Sequence, residues 1–396
     1  MTAQVWLPGR ADGSGPLVIP EPGWAARYPP SASRRVYAAA HVAASPASGG
    51  KVGSGVEAGS RGEVIDWEAT MRVRDHLWAH GFGVAEAMDT AQRGMGLPWE
   101  QAKELIARSA ARAPEQSGAL ACGAGTDQLP EGERHPISKI IGAYAEQMEF
   151  VQATGAGVIL MASRALAASA RGTRDYLEVY GELLRQADRP VILHWLGEAF
   201  DPALRGYWGS AGLGAAAKVV IELIERAGGQ VDGIKLSVLD PGREVALRRR
   251  LPAGVRLYTG DDFHYAELIR GDADGHSDAL LGTFAAIAAP AAAALAALDR
   301  GDIAGYEAAI GPTVPLSRAI FEPPTYHYKV GVAFLAWLNG LQPHFSLLGG
   351  LERHRPAGHL VRVFELAAAA RALTDPDLAA ARMTGLLATM AGPAQV

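Results

Sequence analysis

The sequence predicts an α/β protein, a (β/α)8 TIM barrel with an N-terminal extension and a C-terminal helical extension. Three observations lead there. Apolar strand-like runs alternate with helix-like segments along most of the chain, which implies parallel pairing and right-handed crossovers. Eight such units can be counted, a number that suits a closed barrel better than an open sheet. The 396 residues are 49% hydrophobic, enough to bury one large core.

The elements follow in order. Residues 1–34 are rich in Gly, Pro and turn formers and are expected to wrap the outside of the fold; the barrel is expected over 35–300 and the extension over 301–396. Val36–Val42 is the first strand, followed by a Gly/Ser/Ala stretch at 44–62 that reads as a loop. A helix over Ile65–His80, with Asp66 as N-cap, leads to strand Gly81–Met88. Helix Pro98–Ala111 leads to strand Gly118–Gly123, and helix Ile137–Thr154 to strand Ala156–Ala162. Helix Thr173–Ala187 leads to strand Pro190–Leu196, and helix Gly214–Ala227 to strand Val231–Ser237. Helix Arg243–Arg250 precedes strand Val255–Thr259, and a short helix from Tyr265 precedes strand Ser277–Leu281. The alanine-rich segment Thr283–Leu298 contains Pro290 and is short for a bilayer span, so it reads as a helix packed on the barrel. Helices are expected beyond Asp302, including Tyr328–Leu338 and Leu360–Leu373.

A net charge of −5 gives no electrostatic case for nucleic acid or an anionic membrane as partner. Cys122 is the only cysteine, which excludes an internal disulfide and a cysteine-based zinc site. The N-terminus lacks the basic segment and apolar core of a secretory signal, so a cytoplasmic location is expected.

Val231-Asp-Gly-Ile-Lys-Leu-Ser-Val-Leu-Asp240 carries most of the functional information. The chain has six lysines against thirty-one arginines, yet Lys235 stands between Ile234 and Leu236 in an apolar strand. Burying an ammonium costs several kcal/mol unless it is paired or neutralised, and burial lowers a lysine's pKa. A neutral amine in a dry pocket is a nucleophile that forms a Schiff base with a carbonyl. The bland alternative is a structural lysine held by a buried carboxylate.

Gly233-Ile-Lys-Leu-Ser237, followed on the next strand by Tyr258-Thr-Gly-Asp-Asp262, resembles the dihydrodipicolinate synthase / N-acetylneuraminate lyase superfamily. There a G-I-K strand carries the Schiff-base lysine and an S-G-D-D-like strand follows. His41-Val-Ala-Ala-Ser-Pro46, Gly62-Glu-Val-Ile-Asp-Trp67 and Ala289-Pro290 with Leu298-Asp-Arg-Gly-Asp302 extend the similarity over about residues 35 to 375. The chain looks like a divergent, DUF993-like branch of unknown function. The resemblance implies a class I aldolase or lyase acting on a small 2-oxo acid or keto sugar, with Lys235 as the imine-forming residue. It implies no cofactor and no metal, and favours a homodimer or homotetramer.

Departures from that pattern shape the rest of the expected site. Where the family's second strand ends in G-T-T-G-E, this chain has Met88-Asp-Thr-Ala-Gln-Arg93, so only Thr90 matches. The paired tyrosines after the fourth strand give way to Ala162-Ser-Arg-Ala165. The fifth strand's Tyr-Asn is replaced by His194-Trp195, which puts His194 in the tyrosine's place as proton carrier. Arg164 is a candidate carboxylate fork, as is Arg93. Asp261 would bind a substrate hydroxyl or orient the lysine, unless it caps the following helix. Glu86 shares a strand face with Met88 and Thr90 by two-residue alternation, so it is expected inside the barrel, as a partner for lysine or histidine, a metal ligand, or half of a buried salt bridge. Two other readings stand beside the aldolase. One is a divalent-metal barrel aldolase or isomerase using Glu86, His194 and Asp261, with His264 as a further candidate ligand. The other is a non-catalytic ligand-binding barrel.

Overall fold

The structure, a computed structural model, describes residues 3–8, 15–46, 64–88, 93–116 and 118–390. Eight strands close into a barrel: β1 Val36–Ala39, β2 Gly83–Glu86, β3 Leu120–Ala124, β4 Gly157–Leu160, β5 Val191–Leu196, β6 Val231–Ser237, β7 Arg256–Thr259 and β8 Asp278–Leu281. Each pairs in parallel with the next, and β8 pairs with β1. All eight expected strands are present, each within a few residues of its expected limits.

The main helices between them are α1 Trp67–Ala79, α2 Trp99–Arg112, α3 Ile137–Ala153, α4 Thr173–Gln186, α5 Leu213–Arg226, α6 Pro241–Arg248 and α7 Tyr265–Arg270, with a short extra helix Arg164–Ser169 after β4 and α8 Ala288–Asp299 after the last strand. Asp66 caps α1 as expected, its side chain accepting from the Ala69 amide. Pro290 sits in the first turn of α8, where its missing N–H costs nothing. That helix is buried on nearly every side, which explains why it has no polar face.

Beyond the barrel come α9 Ile303–Ile310, α10 Thr313–Ile320, α11 Lys329–Leu338, α12 Ala357–Ala369 and α13 Pro376–Met390. They lie against the β8–β1 side of the barrel. Lys329, 1% exposed at the start of α11, donates to the Ala39 carbonyl at the end of β1 (2.7 Å). Tyr328 stacks on Phe321 (4.2 Å between centroids) and closes over Gly282, where a Cβ would come within 2.7 Å of its ring. The N-terminal segment runs over the outside: the Trp24 indole donates to the Arg371 carbonyl (2.8 Å) and Asp299 accepts from Ser31 and from the Ala32 amide. Among the described residues no helix is long and apolar enough to cross a membrane.

Inside the barrel, Ala39, Ala85, Ala121, Ile159, Ile192 and Leu280 form part of a separate apolar cluster. Tyr258 fills the lower part, its hydroxyl donating to Asp232 (2.5 Å). Gly233 makes room for that ring, since a Cβ there would stand 2.7 Å from Tyr258 Cε2. The glycine of the Gly-Ile-Lys stretch thus has a packing reason.

Candidate active site

Catalytic groups of such barrels sit at the C-terminal ends of the strands. Lys235 lies in the second half of β6, in register with His194 of β5 and Tyr258 of β7. Ile234 and Leu236 pack outward in the main core, so Lys235 faces the barrel interior by alternation. It is 6% exposed, and its ammonium nitrogen lies 3.8 Å from Met88 Sδ across the mouth. Gly260, at the end of β7, leaves space for it: a Cβ would come within 2.9 Å of Lys235 Cε and 2.1 Å of Ser237 Oγ. Both glycines of the sequence signature, 233 and 260, therefore serve the stacking of Tyr258 and Lys235.

His194 is 3% exposed and its Nε2 lies 3.4 Å from Ser237 Oγ, a long contact. Burial pushes the imidazole well below its ordinary range, and the charge of Lys235 adds to the effect. A proton carrier in the tyrosine's place must exchange protons near neutral pH. A histidine buried in this way is neutral there, so it orients and hydrogen-bonds in the imidazole form.

Glu86 does not face the interior. Ala87 has a φ of 46°, which breaks the two-residue alternation, so Ala85 and Met88 point inward while Glu86 points to the helices. Its oxygens accept from Arg74 Nε (2.8 Å) and Nη2 (2.7 Å), Ser109 Oγ (2.6 Å) and the Ala87 amide (3.0 Å). Arg74 and Glu86 are both fully buried, and this is the salt bridge among the expected alternatives.

Asp261 is also engaged locally. Its Oδ1 accepts from the amides of Phe263 (2.9 Å) and His264 (3.1 Å), and its Oδ2 lies 2.9 Å from His264 Nδ1. It fixes the turn into α7 and is not offered to a substrate. Arg164 was expected to present an open fork. Instead Nε donates to Asp201 (2.6 Å) and Nη1 to Glu131. Arg93 is buried, with Nε and Nη2 on Asp127 (2.9 Å each) and Nη1 on the Ala87 carbonyl (2.7 Å), tying down the kink after β2. Thr90 lies outside the described residues. The carboxylates and imidazole expected for a metal are thus dispersed, and among the described residues no three His, Cys, Asp or Glu side chains converge to hold one.

The family described as "Protein of unknown function (DUF993)" matches residues 16–392. The chain belongs to the DUF993 family. No curated protein matches it in sequence. Solved structures match the DUF993 fold over most of its length. A dihydrodipicolinate synthase from Oceanobacillus iheyensis is 16% identical, with a TM-score of 0.60, covering 84% of this chain and 95% of its own. The dihydrodipicolinate synthase from Thermotoga maritima is 15% identical at a TM-score of 0.60, covering 86% and 99%. YagE from Escherichia coli K12, a prophage protein of the dihydrodipicolinic acid synthase family in complex with pyruvate, is 13% identical at a TM-score of 0.61, covering 90% and 98%. At such identities the likeness is one of fold.

Several residues at the DUF993 mouth escaped the sequence reading. Ser237 stands two residues past Lys235 and so on its face, a signal alternation would have supplied. His41, at the end of β1, is fully buried with Nε2 2.6 Å from Gln342 Oε1, and burial pushes it down to about 3. Gln342 lies beyond the end of α11, more than 300 residues on, and nothing local in the sequence links the two. Thr126 and Ser163, at the ends of β3 and β4, pair through their hydroxyls (2.6 Å) beside Arg164.

Proposed function

We propose that this DUF993 protein is a class I, Schiff-base aldolase or lyase acting on a small 2-oxo acid or keto sugar. One observation carries the reading: a buried lysine at the catalytic end of β6, facing the interior, beside a glycine that gives its side chain room. The fold shared with dihydrodipicolinate synthases, and with a family member seen in complex with pyruvate, supports the same chemistry.

The Lys235 amine in its neutral form would add to the substrate ketone, giving a carbinolamine. Loss of water leaves a protonated imine. As the substrate hydroxyl beyond the breaking C–C bond gives up its proton and leaves as an aldehyde, the imine accepts the bond's electron pair and becomes an enamine, whose carbon takes up one proton in return. Hydrolysis then releases the second product and restores the amine. His194 would hold the neighbouring hydroxyl of Ser237 and the carbinolamine oxygen as a neutral hydrogen-bonding partner. No cofactor is required, because the imine is the electron sink.

The test is turnover. A panel of 2-oxo acids and keto sugars is assayed for release of an aldehyde or 2-oxo acid product, with the unaltered protein and Lys235→Arg. Product release by the unaltered protein alone supports the reading. Equal turnover by Lys235→Arg would end it.

A further inference from the structure

We propose that the cleft between the ends of β3 and β4 is a subsite for the substrate's tail, and that it selects a hydroxyl-bearing tail over a second carboxylate. This rests on the imine reading and adds the substrate class to it. The cleft has a volume of about 70 Å³ and is lined by Thr126, Met161, Ser163 and Arg164 among others. That is room for several hydroxyl-sized groups, since one water needs about 10–15 Å³ of such space.

One lining residue of the cleft, Met161, stands near the lysine. Met88 Sδ lies 3.8 Å from Lys235 Nζ, and Gly123 sits against both Met88 and Met161, since a Cβ there would be 2.6 Å from Met88 Cα and 2.8 Å from Met161 Sδ. Two flexible thioethers therefore stand between the amine and the cleft, apolar neighbours for a carbon chain whose far end would meet polar groups.

Charge decides what those groups accept. The Arg93 fork is closed on Asp127, and Arg164 is divided between Asp201 and Glu131. Two guanidiniums thus face three carboxylates, and an incoming anion would meet occupied donors and an excess of negative charge. A hydroxyl carries no charge and both donates and accepts. Thr126 Oγ1 and Ser163 Oγ, 6% and 2% exposed by residue, share one hydrogen between them (2.6 Å), which leaves the other hydroxyl hydrogen and further lone pairs to offer. Their positions are fixed: Ser163 Oγ accepts from the Leu166 amide (2.9 Å), and the Ser163 amide donates to Tyr207 OH (2.9 Å).

Three six-carbon 2-oxo acids differing only in the tail make the test: 2-oxohexanoate, 2-oxoadipate and 2-keto-3-deoxygluconate. Each is titrated against the full-length protein with borohydride, and the half-saturating concentration for mass gain at Lys235 is read. The polyol-tailed probe is expected to saturate at least tenfold below the other two. In Thr126→Val/Ser163→Ala that advantage should fall by about fivefold per hydrogen bond lost. Glu131→Gln, at an exposed position, should free Arg164 and move selectivity toward 2-oxoadipate. Equal saturation by all three probes, or tightest saturation by 2-oxoadipate in the unaltered protein, overturns the proposal while leaving the imine reading intact. Should no probe be trapped, that reading fails, and calorimetry on Lys235→Arg decides the subsite: it stands if the polyol-tailed acid binds tightest and falls if there is no preference.

Discussion

Gly260→Ala tests the packing that confines the lysine without touching the amine itself. The new Cβ would stand 2.9 Å from Lys235 Cε and 2.1 Å from Ser237 Oγ. Ordinary carbon contacts lie near 3.5–4.0 Å, so Cε must retreat by roughly 0.6–1.1 Å. A misplacement of that size costs about 10²-fold in a positioned reaction, or ~2.7 kcal/mol of barrier. Overpacking costs a further ~1–3 kcal/mol of stability. The assay is the time course of borohydride trapping with pyruvate, followed by intact mass, with urea unfolding run beside it to show that the fold persists. Adding Ser237→Ala removes the 2.1 Å contact but not the one with Cε, so stability should largely return while trapping stays slower than in Ser237→Ala alone, which separates the lysine's displacement from the loss of the hydroxyl. Trapping at the unaltered rate in folded Gly260→Ala would refute the claim that this glycine makes the lysine's place.

Two further outcomes follow from groups outside the mouth. Glu86→Gln leaves Arg74 buried without a counter-charge, so thermal or urea unfolding should show a loss of ~3–5 kcal/mol. A loss below 1 kcal/mol would show that the pair is not a buried structural bridge. Glu244, held by Ser277 and Thr259 behind β7 and β8, is pushed up by burial from 4.5 to about 8. Between those values the folded state binds the proton and the unfolded state has released it. This group therefore lowers stability as pH rises from 4.5 to 8, by up to ~1.4 kcal/mol per pH unit. Glu244→Gln should gain stability on the unaltered protein steadily over that window and stop gaining above it; a constant difference between the two proteins would contradict the assignment.

The barrel was legible because its signals are local and repeated. Eight apolar runs at regular spacing need no long-range information, and a lone lysine in one of them marks the site. Glu86 shows where such reasoning stops. Alternation placed it inside, but one residue of positive φ at Ala87 turned the face, and the fully buried Arg74 that claims it lies on another element. Arg164 meets a related limit, and of the two readings open for Asp261 the structure shows the cap of the following turn. A charged side chain at a strand end has several local partners within reach, and the sequence does not say which it takes. For His194 the residue and its strand were legible while its protonation was not, because burial on all sides sets that. The His41–Gln342 contact, 301 positions apart, had no sequence signal at all.

The central claim is that the Lys235 nitrogen captures a carbonyl. Lys329 is a second deeply buried lysine, bonded to the Ala39 carbonyl, and supplies an internal control. The protein is incubated with a saturating 2-oxo acid, reduced with borohydride, digested and mapped by mass. The adduct is expected on the peptide carrying Lys235 alone, and absent from Lys235→Arg. An adduct on Lys329 or spread over surface lysines, or none with any 2-oxo acid or keto sugar, would contradict the account.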